Sequence, residues 1–70
     1  MSKLYYNFLK VYDYLFINKM SKSKFCKECG ISLPKFNKVL DNITPVDFQV
    51  LNKISNYTKI EVSDLIIYEL

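Results

Sequence analysis

Cys26 and Cys29 are the most reactive side chains in this 70-residue sequence, and they form a CxxC pair. That spacing suits a zinc site or a redox dithiol. A closed zinc site takes four ligands, and the chain has no histidine and no second cysteine pair to supply them. A thioredoxin-like dithiol sits beside a βαβ unit, and no such pattern surrounds this one. On a helix, positions 26 and 29 share a face, so the pair reads as two small buried hydrophobes. Nothing in it asks for an oxidising compartment, a metal or a cofactor. Other catalytic groups are also missing. Without histidine, no paired acid and base stands out, and the carboxylates are scattered along polar positions. The six tyrosines fall at helical spacings that suit core and interface packing. A single glycine cannot build a phosphate-cradling loop. These absences exclude the common enzyme classes.

The lysines carry the remaining chemical signal. Net charge is only +3, but it is unevenly spread. Residues 19–38 hold six lysines (Lys19, Lys22, Lys24, Lys27, Lys35, Lys38) against Glu28 alone, a net +5. From residue 41 onward two lysines face five acids, a net −3, and the first eighteen residues add +1. A positive field confined to one segment is the footprint of a polyanion partner, or else a solvated lysine-rich face. All ten basic residues are lysine. Bidentate guanidinium contacts to guanine are therefore excluded, while lysine can still reach guanine and an asparagine can pair with adenine.

Those lysines need elements to hold them. With half of its residues hydrophobic, one glycine and two prolines, the chain should form helices joined by short turns. Its length sets one domain, residues 1–70. Ser2 can cap a first helix over residues 3–18, whose wheel gathers Leu4, Tyr5, Phe8, Leu9, Tyr12, Leu15 and Phe16 on one face. Tyr6, Tyr14 and Ile17 fall nearer its polar side and offer a partner surface. Ser21 caps a second helix over residues 22–29, with Phe25, Cys26 and Cys29 inward. Gly30 ends it in the left-handed conformation that helix ends favour. Ser32 starts a third helix to about residue 40, with Phe36, Val39 and Leu40 inward and Lys35, Asn37 and Lys38 outward. After a loop at residues 41–43, Thr44-Pro45 with Asp47 is a start signal for a fourth helix carrying Phe48, Leu51, Ile54 and Tyr57. Ile60 and Val62 lead into a fifth through Leu65, Ile66 and Tyr68. The expected architecture is all-α, a compact five-helix domain. The apolar N-terminal stretch is broken by Asn7, Lys10 and Asp13, so it reads neither as a targeting segment nor as a membrane span, and a cytoplasmic location is expected.

Two short helices joined at a glycine, the second with a basic outer face, describe a helix-turn-helix. The run from Ser21 to Ser32 (SKSKFCKECGIS) resembles the entry of the lambda-repressor-like family of phage repressors, Cro and XRE-type proteins. Phe25-Cys26, Gly30 and Ile31-Ser32 carry the likeness. Leu51 to Ser55, Ile60, and Asp64-Leu65-Ile66 are similar to the family's fourth and fifth helices at compatible spacing. The sequence departs from that pattern at Cys26 and Ser55, where alanine is usual, at Thr58, where a larger apolar residue is usual, and at Lys59, where glycine is common.

The resemblance implies a sequence-specific, repressor-like transcriptional regulator that binds double-stranded DNA as a homodimer. It places Ser21 and Lys22 at the start of the second helix, where phosphate or a base is touched, and the recognition helix, about residues 33–40, in the major groove. Ser32, Leu33, Pro34, Lys35, Asn37 and Lys38 then lie at or beside the groove, and Asn42 falls in a backbone-contacting loop. Leu33 and Pro34 stand where polar base readers are common. Pro34 removes a donor and constrains Leu33, so the helix could start one residue later, and Leu33 could meet a thymine methyl or a protein. That opens an alternative on the same fold: a protein-interaction module, an antirepressor or accessory subunit, without DNA binding. The apolar tail at Ile66, Ile67 and Tyr68 is the expected dimer interface.

Overall fold

The computed structural model describes residues 3–69. In chain order they form β1 (Lys3–Tyr6), α1 (Leu9–Ile17), α2 (Lys22–Cys29), α3 (Leu33–Leu40), α4 (Phe48–Thr58), a 3-10 turn (Val62–Asp64) and β2 (Ile66–Glu69). The helices surround one core built on Phe25, Phe36, Val39, Leu51, Ile54 and Leu65. No described helix is long and apolar enough to cross a membrane.

The all-α, five-helix expectation is corrected at both ends of the chain. Lys3–Tyr6 is a strand, paired antiparallel with Ile66–Glu69 in the register Lys3↔Glu69 to Tyr6↔Ile66. Leu4, Tyr5 and Tyr6 fit a helical wheel when read alone, but Tyr6 is buried and the strand ends there. The fifth helix shrinks to the 3-10 turn, and Ile66, Ile67 and Tyr68 continue as β2. Branched and aromatic side chains fit a pleated surface better than a helix once a partner strand is present. Ser2 lies outside the described residues. The observed N-cap of α1 is Phe8, without a side-chain bond.

The inward face of α1 is also corrected. Val11 and Leu15 are buried, with Phe8 ahead of them and Tyr14 packed alongside. Leu9, Tyr12 and Phe16 are exposed instead, Phe16 at 85%. Apolar residues occur all round this helix, so the wheel alone did not select the face. Contacts with α2 and α4 do: the Tyr14 ring meets Phe25 at 6.1 Å and Tyr57 at 6.0 Å. Tyr6 leaves the proposed partner surface because it belongs to the core, whereas Ile17 stays 75% exposed.

Helix α4 starts later than the Thr44-Pro45 signal. Asp47 is its N-cap, with the carboxylate accepting from the Gln49 N–H at 2.9 Å. A second tether fixes the residue: the Asp47 N–H donates to the Tyr6 hydroxyl at 2.6 Å, and that hydroxyl donates to the Pro45 carbonyl at 3.4 Å. A local cap bond and a long-range tether thus meet on Asp47.

Candidate nucleic-acid interface

The helix pair forms because each terminus has its own stop. The Ser21 hydroxyl accepts from the Lys24 N–H at 3.1 Å, and the Ser32 hydroxyl from the Lys35 N–H at 3.3 Å. Each such cap contributes about 1 kcal/mol. At the corner Gly30 takes φ +77°, and the Ile31 N–H returns to the Cys26 carbonyl at 2.9 Å. A Cβ there would meet nothing within 4 Å, so glycine is present for its backbone freedom and not for space. Lys53, from α4, donates to the Gly30 carbonyl at 3.2 Å and clasps the turn from outside.

Packing then sets which side chains face out. Phe25, Cys26 and Cys29 of α2 and Phe36 and Val39 of α3 are buried. The Phe25 and Phe36 rings lie 5.6 Å apart across the joint. Burying a ring such as Phe36 stabilises the domain by about 1.5–3 kcal/mol. The opposite faces leave Ser21, Lys22, Lys24, Lys27, Ser32, Pro34, Lys35, Asn37 and Lys38 exposed. Both cysteines are free. Burial pushes the Cys29 thiol up to about 11, with smaller contributions from Cys26 and Glu28, and burial raises Cys26 too. Neither is a thiolate near neutral pH, so the pair acts as packing material.

The sequence-predicted residues divide into several groups. Ser21 and Ser32 act first as caps. Lys22 stands in the first turn of α2, and Asn37 and Lys38 stand exposed on α3. Pro34 sits in the first turn of α3, where a missing N–H costs no helical bond, and the helix starts at Leu33 without delay. Leu33 is half-buried and packed against the core. Lys35 has a partner: its ammonium lies 3.2 Å from the Asp47 carboxylate. Asn42 is engaged further, with its amide bonded to both main-chain groups of Tyr6. The sequence does not mark the contacts of Asp47 with Lys35 and Tyr6. Only Asp47 left a trace in the sequence, as an acid near a helix start. Ile66, Ile67 and Tyr68 lie on β2, away from the helix pair in sequence; Ile66 packs on the core, while Ile67 and Tyr68 are 48% and 59% exposed.

The family model for the Cro/C1-type HTH DNA-binding domain matches residues 14–70. The chain belongs to this family. No curated protein and no solved structure matches it. As a Cro/C1-type helix-turn-helix domain it is a DNA-binding regulatory module, with α2 and α3 as its helix pair. Its match begins inside α1, so β1 lies outside the part that the family defines. Among the described residues no three histidine, cysteine or acidic side chains stand together as a metal-binding group.

Proposed function

We propose that the 70 residues work as one domain, a sequence-specific, repressor-like transcriptional regulator acting in the cytoplasm as a homodimer and catalysing nothing. The observation that carries this reading is the division of α3: Phe36 and Val39 are buried while Lys35, Asn37 and Lys38 are exposed, as is Lys22 in the first turn of α2. Helix α3 lies in the major groove, where Asn37 can pair with adenine and Lys38 with guanine or phosphate. Lys22 contacts phosphate at the amino end of α2, where the helix dipole adds to its charge. Lys35 exchanges Asp47 for a phosphate on binding; exposed ion pairs are worth about 0–1 kcal/mol, so the exchange is inexpensive. The Asn42 side chain is engaged by Tyr6 and supports the loop, which leaves the main chain of that loop to meet the DNA backbone.

The test is fluorescence anisotropy of a labelled random duplex over a series of salt concentrations. Three lysine–phosphate contacts give a log–log salt slope of about −3 per subunit. The variant Lys22→Glu, Lys35→Glu, Lys38→Glu should stay folded and lose the salt-dependent binding. Equal binding by both proteins would move DNA off this face.

The dimer reading rests on β2. Main-chain groups of Ile66 and Tyr68 point away from β1, since the Asn7 N–H donates to the Leu65 carbonyl at 2.9 Å and pairing direction alternates from there. An antiparallel match of Ile66 with Tyr68 of a second copy satisfies both and sets Ile67 opposite itself. Ile67→Asp would then place like charges face to face, weakening association while the monomer stays folded. Sedimentation unchanged by that substitution would defeat the arrangement.

A second reading has its own observation. Leu9, Tyr12, Phe16 and Ile17 are exposed on α1, and Phe16, Ile17 and Met20 border an open hollow of about 710 Å³ beside Lys19 and Lys22. Apolar exposure of this kind marks protein contact surfaces. Absence of duplex binding at any salt, with the fold intact, would make the protein-interaction module the better reading.

A further inference from the structure

A two-stranded sheet has two outer edges, and a bare edge accepts a strand from another molecule. Here the edges differ. On β1 the alternation that turns Tyr5 toward β2 turns the main-chain groups of Leu4 and Tyr6 outward. At Tyr6 both groups are taken. Its N–H donates to Asn42 Oδ1 at 2.9 Å, and its carbonyl accepts from Asn42 Nδ2 at 3.4 Å. One side-chain amide thus does what the peptide group of a neighbouring strand would do. Asn42 is held in place by its own backbone: φ is +54°, its N–H donates to the Val39 carbonyl at 3.0 Å, and the Ile43 N–H donates to the Lys38 carbonyl at 3.1 Å. Asparagine tolerates that left-handed conformation better than most residues. On β2, among the described residues, no side-chain group bonds to the outward main chain of Ile66 or Tyr68.

The consequence concerns closure. Joining β2 to β2 uses the same edge twice and ends at two copies. Joining β1 of one copy to β2 of the next leaves a free edge at each end, so it continues into open chains. We propose that Asn42 guards the β1 edge, so that a second copy of this chain adds only at β2 and assembly stops at a dimer. The proposal rests on the β2 dimer reading, and its test separates the two.

Asn42→Gly removes the amide and keeps the left-handed backbone accessible. Sedimentation velocity across a concentration series, with circular dichroism as the fold check, compares it with the wild type. The wild type should stop at twice the monomer mass, and the variant should grow beyond it with added β signal. Leu4→Pro in the variant deletes the next outward N–H of β1, a change an edge strand tolerates, and should reverse the growth. A folded Asn42→Gly protein that sediments as the wild type does overturns the guard. A monomeric wild type with an associating variant upholds the guard and overturns the β2 dimer. Amide exchange in the unmodified protein gives a check that needs no variant. The Tyr6 N–H should be protected and the Leu4 N–H should not; equally fast exchange at both overturns the proposal.

Discussion

Helices α2 and α3 are bounded by residues that sit next to them in sequence. Ser21, Gly30 and Ser32 each act within a few positions of themselves: the serine caps are local bonds and Gly30 turns the backbone in place, with Lys53 added to its carbonyl from α4. Strands β1 and β2 have no such markers. Lys3–Tyr6 is a strand paired with Ile66–Glu69, and the Asp47 cap of α4 adds to its local bond a tether from Tyr6 across the chain. The family match covers the helix pair and β2 and leaves β1 outside, so it includes only one strand of the sheet. Local signals are therefore sufficient for the reading end. The sheet end depends on contacts between the two chain termini, which no window of sequence contains.

The two ends are nonetheless one packed body. Aromatic rings run from Tyr6 to Phe8 at 5.3 Å, on to Phe36 at 6.0 Å and then to Phe25 at 5.6 Å. Phe36 is the shared member, fully buried in α3 and touching both ends. Phe36→Ala should cost about 3–5 kcal/mol, enough to unfold much of a domain this small. In urea melts followed by amide exchange, protection in the helices and in the sheet should be lost together. A sheet that melted first, with the helix pair intact, would show that the ends are separate cooperative units.

A smaller effect contrasts two helix ends. Gly30 closes α2 at φ +77°, and Lys59 closes α4 at φ +66°. The left-handed region costs a residue with a Cβ about 1–2 kcal/mol. Gly30→Ala should destabilise by about that amount, while Lys59→Gly should stabilise by somewhat less, because glycine also gains freedom in the unfolded chain. Paired denaturant melts check the opposite signs. If both changes destabilise, the Lys59 side chain makes a contact that outweighs its strain.

These cases show what the sequence could and could not announce. The helix pair, its corner glycine, its caps and its inward cysteines were legible because capping chemistry and a 3.6-residue stripe are local. The face of α1 was legible only in part: Phe8 and Leu15 are buried as the wheel has them, but Leu9, Tyr12 and Phe16 also fit that stripe and are exposed, while Val11 is buried. Tertiary contact alone chose between them. The apolar tail reads as a helix in the sequence, because the strand it pairs with lies at the other end of the chain. Asn42 was legible as a loop residue in the right place, yet its partner, the main chain of Tyr6, could be seen only in three dimensions.

Asp47 joins the two regions, and its titration gives the smallest and most specific prediction. Its carboxylate accepts from the Gln49 N–H, which is the main reason its pKa lies below the ordinary 3.8, and the Lys35 ammonium lowers it further. A carboxyl whose folded-state pKa is depressed stabilises fully above its unfolded value, and the gain disappears as pH falls through the folded value. The cap and the α3–α4 ion pair should therefore hold at neutral pH and weaken only below 3.8. Asp47→Asn keeps a good cap but carries no charge, so its thermal midpoint should change less than the wild type's on acidification. The same variant frees Lys35 from its partner, and its duplex affinity should rise with a slightly steeper salt slope. Parallel acid limbs in the two proteins would assign acid sensitivity elsewhere. An unchanged duplex affinity would mean that Lys35 meets no phosphate even without the Asp47 charge beside it, and the reading face would then rest on Lys22, Asn37 and Lys38.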